Sequence, residues 1–467
     1  MASTQTKERP KPFLLPKFCK GCGRCIEACP KDCIHFGTEI NEESGLLPVL
    51  IDYEYCNGCG LCIVACPEPY GLQAGDGHDF ELFDPEKEFG RKESTAPVPI
   101  TIMDETIPLP EVKPLLIKGT YASAIGALIA GCRHFFGYPI TPSTEGAELM
   151  AKVLPHLDGV FIQAVSEVAT VNHMYGCGGA GLRCMTFTSS PGFSLMLEGI
   201  SYMIGAEIPG VFVNVMRGGP GLGNIGPEQA DIKLACRGLG HGNTHAITLA
   251  PADPQEMLDT TILAFDLSFK YRNPVVILGD GYLGQVTGNV KLPEYMIKPG
   301  IPDWGVYGDE MHRRNLMCSI QLSEPDLEIH NVHLNEKYQQ IIENEQRADL
   351  FHCDDADIIY IASNTPSRMV KGAIQDLRKQ GIKAGLFRPI TLWPFPIKYF
   401  LPVLKKAKRL IVVEASNGQL EAELRLALSL EEIHDFPPIE HVRRFGGMLP
   451  QAQEIIDKAT AGKEVQA

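Results

Sequence analysis

Eight cysteines near the start of the chain are spaced for chemistry. They form two copies of one run, Cys19-x-x-Cys22-x-x-Cys25-x-x-x-Cys29-Pro30 and Cys56-x-x-Cys59-x-x-Cys62-x-x-x-Cys66-Pro67. Three thiolates two residues apart can wrap one face of an iron–sulfur cube, and the fourth lies too far along the chain to close the same cube. Structural zinc is the alternative. A tetrahedral ion is satisfied by two C-x-x-C pairs, however, and has no use for a third regular thiol or the Cys-Pro ending. The runs therefore point to one-electron transfer through two [4Fe-4S] clusters. Cys33 interrupts the repeat and reads as a small thiol outside the ligand sets. Nine of the fifteen cysteines fall in the first 66 residues, which is the distribution of a metal domain joined to a different body, not a disulfide framework.

A second set of residues could bind a small anion. In GYPITPSTE (137–145) two prolines flank Thr141 and hold its hydroxyl in a fixed, non-helical turn. Arg217 opens an RGGPG loop after an apolar run, and a planar guanidinium can grip a carboxylate with two parallel hydrogen bonds. Ser166-Glu167 places a carboxylate between a strand-like and a helix-like segment, and Thr188-Ser189-Ser190-Pro191-Gly192 precedes a helix whose first amides could face an anion. Gly221-x-Gly223-x-x-Gly226 fits the dinucleotide fingerprint in form. Pro220 and Pro227 bracket it and no acid ends a following strand in the expected place, so it reads as a substrate loop.

The elements that must position these groups follow from periodicity. At 467 residues, two or three domains are expected. Residues 1–12 read as a tail, 13–75 as the cluster domain and 76–112 as a linker whose prolines are spaced too closely for regular structure. Strands near 161–165, 183–188, 211–216, 245–249 and 274–278 alternate with helices near 168–178, 193–206, 229–238 and 253–271, an α/β domain over 113–292. Residues 293–352 show no strand rhythm and read as a second linker with a polar surface helix. Alternation resumes over 353–467 as a smaller α/β domain. Hydrophobic strands alternating with helices imply doubly wound parallel sheets covered on both faces. The formal charge of −15, from 42 Lys and Arg against 57 Asp and Glu, argues against nucleic acid and anionic membranes. No apolar run reaches the roughly 18–20 residues of a membrane span, and the N-terminus has no signal-peptide core. A cytoplasmic protein is expected.

Residues 13–75 resemble a bacterial two-cluster ferredoxin, a small α+β fold with a longer stretch between motifs (37–53) that could form an extra hairpin. In such ferredoxins the fourth cysteine of each run serves the other cluster, which assigns Cys19, Cys22, Cys25 and Cys66 to one cluster and Cys56, Cys59, Cys62 and Cys29 to the other. Residues 113–467 resemble the α-subunit of the 2-oxoacid:ferredoxin oxidoreductases. The motifs that carry the likeness are GYPITPSTE, Ser166-Glu167, TSSPGFSLMLEG, VNVMRGGPG, LFRPITLWPFP and VVEASNGQLEAEL.

The resemblance implies a pyrimidine-binding domain, then a transketolase C-terminal-like domain, in an enzyme that decarboxylates a 2-oxoacid oxidatively onto coenzyme A with thiamine diphosphate. It implies that Thr141 and Arg217 hold the substrate carboxylate. Glu167 would face the aminopyrimidine and share a proton with its ring nitrogen, with Pro139 and Ser166 beside it. Gly279-Asp280-Gly281 matches the start of the diphosphate motif but lacks its asparagine. A separate β-subunit is therefore expected to hold Mg²⁺ and the diphosphate, alongside a γ-subunit and an external ferredoxin or other low-potential acceptor. The substrate is expected to be 2-oxoglutarate or a branched-chain 2-oxoacid. A dicarboxylate would need a second cation, for which His134, His173 and His241 are candidates. The rival reading is an electron-transfer or scaffold subunit with a degenerate thiamine fold.

Overall fold

The structure is a computed structural model and describes residue 9 and residues 11–68, 71–75 and 97–461. Most of the expected tail, residues 76–96 of the first expected linker and the last six residues lie outside the described set. The chain divides into two compact units, one of Met1–Pro97 with Ile320–Leu334 and one of Val98–Ser319 with Asn335–Ala467.

In the first unit, each cysteine run turns into a short helix that carries its third thiol, Arg24–Glu27 for Cys25 and Leu61–Ala65 for Cys62. Pro12–Leu14 pairs antiparallel with Leu72–Ala74, and Ile34–Phe36 with Val49–Ile51, so the stretch between the motifs closes as a hairpin. Half of this unit's buried core is sulfur-bearing: Cys25, Cys29, Cys33 and Cys62 pack with Ile34, Val49, Ile51 and Leu72. Arg24 donates to the Leu322 carbonyl at 3.1 Å and pairs with Glu324 at 2.7 Å.

The second unit is built on two sheets. The larger runs Thr391–Trp393, Ile247–Leu249, Pro274–Asp280, Gly210–Met216, Cys184–Thr188, His134–Gly137, Val160–Gln163 in spatial order. All neighbours are parallel except the first pair. Every residue of Gly210–Met216 and of Pro274–Asp280 is buried, as central parallel strands covered on both faces must be. Ser166 caps the helix Glu167–Gly179 by accepting from the Ala169 amide at 3.1 Å, and Asp253 caps Pro254–Tyr271 through the Glu256 amide at 2.9 Å. Capped starts like these set where each helix leaves its strand.

The smaller sheet runs Ala348–Phe351, Ala384–Pro389, Ile358–Ile361, Arg409–Glu414, Ile439–Arg443, parallel except for its first strand. Its core gathers Tyr360, Val370, Ile374, Leu386 and Ile411.

Several segments differ from the sequence reading. Glu105–Pro108, inside the first expected linker, pairs with Tyr295–Lys298, inside the second. Ala348–Phe351 is a strand as well, and Glu324–Asn344 is the expected polar helix. Finally, Thr391–Trp393 leaves the smaller domain's stretch of sequence to edge the larger sheet beside Ile247–Leu249. These strands are three or four residues long and gain their hydrogen bonds from remote chain, so no local pattern announces them. Edge positions also tolerate the proline of Glu105–Pro108.

Candidate functional site

The thiols of the first unit stand around two small cavities. Cys19, Cys22, Cys25 and Cys66 line one, with Leu14, Val49 and Leu72. Cys29, Cys56, Cys59 and Cys62 line the other, with Pro12 and Ile34. The fold thus brings the fourth cysteine of each run to the first three of the other. Among the described residues no three His, Cys, Asp or Glu side chains come close enough to share a single ion. Four soft donors set around a void fit a polynuclear cluster. Burial, then the neighbouring thiols of Cys19 and Cys22, push Cys25 up to about 12, and burial with Cys56 pushes Cys62 up to about 11. Such thiols ionise readily only against a cationic core. Cys33 is buried on the wall of the second cavity, its Sγ 3.3 Å from that of Cys29. The spacing of the runs gave no sign that it would stand there.

In the second unit the sequence-predicted residues gather at the carboxyl edge of the larger sheet, where open parallel sheets place their ligands. Thr141 follows His134–Gly137, Ser166 and Glu167 follow Val160–Gln163, Ser190 follows Cys184–Thr188, and Arg217 follows Gly210–Met216. Arg217 ties two loops together: Nη1 donates to the Thr141 carbonyl at 2.7 Å and Nη2 to the Leu222 carbonyl at 2.9 Å. Its backbone amide donates to Ser190 Oγ at 3.0 Å. Arg217 Nε and Thr188 Oγ1 are buried without a hydrogen-bond partner among the described residues, and buried polar groups left this way call for a ligand or water.

Glu167 is only 5% exposed, and its carboxylate has no hydrogen-bond donor among the described residues. It reaches across to the helix Ser190–Gly205, where a Cβ on Gly192 would lie 2.5 Å from Glu167 Oε1. Only glycine leaves room there. Pro139 is exposed in its loop, and the Ser166 hydroxyl is engaged by its own helix.

One residue of this edge escaped the sequence reading. Asp231 accepts from Asn214 Nδ2 at 2.8 Å and also bonds the Ser190 side chain, and burial holds its carboxyl above the usual range. An acid so placed braces the serine that meets Arg217. Nothing in its local sequence marks it.

The other candidates separate. Asp280 is fully buried and its oxygens accept from the Tyr282, Leu283 and Thr365 amides and the Thr365 hydroxyl. That is a helix cap and a tie to the smaller domain. His134 lies at the amino end of its strand, opposite Thr141. His173 bonds the Ala169 carbonyl at 2.6 Å within its own helix and stacks on Phe136, while His241 meets Tyr202 edge-on.

Comparison with known proteins bears on the same segments. Residues 125–369 match the family model described as pyruvate flavodoxin/ferredoxin oxidoreductase, thiamine diphosphate-binding. Residues 356–455 match pyruvate:ferredoxin oxidoreductase core domain II, and residues 18–69 a 4Fe-4S dicluster domain. The ketoisovalerate oxidoreductase subunit VorB of Methanothermobacter thermautotrophicus is 44% identical over 345 residues, which span 73% of this chain and 96% of that protein.

The chain belongs to the 2-oxoacid:ferredoxin oxidoreductases.

The 2-oxoglutarate synthase subunit KorA of Methanocaldococcus jannaschii, another relative, is 35% identical over 371 residues, 74% of this chain and 99% of its own. Among solved structures, the 2-oxoglutarate:ferredoxin oxidoreductase of Magnetococcus marinus, with 2-oxoglutarate, coenzyme A and succinyl-CoA bound, superposes with a TM-score of 0.67. That pair is 26% identical, covering 76% of this chain and 66% of that one. As an oxidoreductase of this family, the protein carries a thiamine diphosphate-binding α/β domain and a dicluster 4Fe-4S domain, and it works as one subunit of a larger enzyme. No helix among the described residues is long and apolar enough to cross a membrane.

Proposed function

We propose that this subunit completes the active site for a branched-chain 2-oxoacid, oxidised with coenzyme A to an acyl-CoA and CO₂, and passes the electrons out through two [4Fe-4S] clusters. The observation that carries the reading is the meeting of Glu167, Thr141 and Arg217 at one sheet edge, with buried polar atoms that no group among the described residues satisfies. When bound, thiamine diphosphate supplies the carbon nucleophile and the electron sink for decarboxylation, and the clusters take up the two electrons one at a time.

Glu167 is the carboxylate set to hold a proton against the aminopyrimidine ring. Its burial removes competing water, and Gly192 leaves the space it occupies. Arg217 and Thr141 form the seat for the substrate carboxylate. The Nη atoms hold the two loops in register and Nε is the donor still to be satisfied. Cys19, Cys22, Cys25 and Cys66 hold one cluster; Cys56, Cys59, Cys62 and Cys29 hold the other. Diphosphate and Mg²⁺ fall to a β-subunit docked on this edge, where Val165, Leu222 and Ile225 expose apolar surface. A γ-subunit completes the complex, and an external ferredoxin or other low-potential acceptor takes the electrons. Along the chain, a ferredoxin domain (13–75), a pyrimidine-binding domain (113–292) and a transketolase C-terminal-like domain (353–467) divide this work.

A branched aliphatic substrate is favoured over 2-oxoglutarate because the Arg217 loop offers Leu222 and Ile225. Arg443 and Arg444, on the stretch that meets this loop, are already paired with Glu421 and Glu454. The 44% identical relative is named for ketoisovalerate. The test is anaerobic purification of the native complex and reduction of ferredoxin or a viologen dye with coenzyme A and a panel of 2-oxoacids. The expected result is turnover fastest with 3-methyl-2-oxobutanoate and at least 100-fold slower in Glu167→Ala. Full clusters with no turnover on any 2-oxoacid would instead establish the electron-transfer scaffold.

A further inference from the structure

The chain just beyond Arg217 is stitched to the smaller α/β domain by the polar side chains of three residues, Asn224, Glu228 and Gln229. Asn224 Nδ2 donates to the Gly446 carbonyl at 3.0 Å, while its Oδ1 accepts from the Gly226 amide at 2.8 Å. Glu228 accepts from the Gly219 amide at 2.9 Å and from the Gly446 amide. Gln229 donates to the Ser363 carbonyl and hydroxyl and to Asn364 Oδ1, and it exchanges hydrogen bonds with the Ala415 backbone.

The passes of chain also lie too close for side chains. A Cβ on Gly447 would stand 2.5 Å from Asn224 Oδ1, and one on Gly226 would stand 2.8 Å from Gly447 Cα. The loop closes on itself through Asn224 N to Gly218 O and Gly218 N to Gly226 O, both 2.9 Å. It is thus cross-braced along its length, with Arg217 at its root and Leu222, which receives Arg217 Nη2, at its tip.

We infer that the smaller α/β domain sets the enzyme's affinity for its 2-oxoacid, with Asn224 and Glu228 as the positioning residues that fix the Arg217 loop against Gly446 and Gly447. The inference rests on the reading that Arg217 holds the substrate carboxylate. Asn224 is exposed, so its loss leaves both cores intact. Water can solvate the Gly226 amide and Gly446 carbonyl that it releases, and the loop then samples positions in which the guanidinium is misplaced. Ordering the loop again falls on substrate binding, which weakens affinity for the acid without altering the reacting centre.

In the native complex, Asn224→Ala is expected to raise KM for the 2-oxoacid about tenfold, with a smaller change in kcat and none in KM for coenzyme A. Glu228→Ala should behave alike. Glu228→Gln, which keeps one carbonyl acceptor and turns the second oxygen into an NH₂ donor, should recover part of the affinity. Hydrogen exchange of peptides covering 217–227 and 444–449 should quicken in both alanine variants. The inference is overturned if exchange and KM stay at wild-type values, or if kcat and both KM values deteriorate together as they would in a globally loosened fold. Should the wild-type complex turn over no 2-oxoacid, the proposed function fails. The exchange experiment still reports whether Asn224 and Glu228 hold the loop.

Discussion

A single atom's width governs the placement of Glu167. A methyl group at Gly192 would collide with its carboxylate, so Gly192→Ala is expected to cut 2-oxoacid turnover by about 100-fold or more while iron content and melting temperature change little; parallel assays of the three quantities decide it. The cluster cysteines carry a prediction of opposite kind. Cys25 and Cys62 are held at about 12 and 11 by burial and by neighbouring thiols, and each must lose its proton to bind iron. Raising the pH lowers that cost, so iron and sulfide reconstitution of the apo-chain should go further at pH 8.5 than at pH 6.5, measured by absorbance near the cluster bands. The cysteine runs were legible because a cluster's geometry is written in local spacing. The Arg217–Thr141 contact joins residues 76 apart; family likeness set both at a substrate carboxylate but spacing could not bring them together. Asp231, and the place of Cys33 beside the second cavity, were not legible because they depend wholly on what the fold sets beside them.

Among elements, the βα alternation was readable from Gly210–Met216 and Pro274–Asp280, whose unbroken apolar texture reflects burial on both faces. The strand Thr391–Trp393 was not, since it is short and its partner Ile247–Leu249 lies more than 140 residues upstream. The same mixing of domains appears in side chains. Arg388 forms two 2.8 Å bonds to Glu256 on the helix Pro254–Tyr271. Asp280 caps the helix Gly281–Gln285 and binds Thr365 at the start of Asn364–Lys379. Asp280→Ala removes a cap and leaves buried donors unpaired, so it should destabilise this unit by about 3 kcal/mol. A loss of that size in unfolding free energy, with unchanged iron content, would separate this anchoring role from one in cofactor binding.

At the scale of the whole molecule, the two units rely on different sources of order. The α/β unit has large aliphatic cores, whereas four of the eight residues in the first unit's core are cysteines. Removing the iron should therefore abolish a low calorimetric transition and leave the main one in place. A single transition that shifts as a whole would show the two to be thermodynamically inseparable. The first unit also has a discontinuous make-up, with residues 320–334 grouped with the N-terminal stretch and Leu322 and Glu324 answering Arg24. A ribosome delivers that second piece roughly 220 residues after Pro97, or some 10–45 s at about 5–20 residues per second. The larger sheet waits longer still, for Thr391–Trp393. During synthesis the cluster-binding segment thus spends tens of seconds outside its finished surroundings with nine thiols on offer, eight of them cluster ligands. That interval is when metal-delivery machinery has its easiest access, and when oxygen does too.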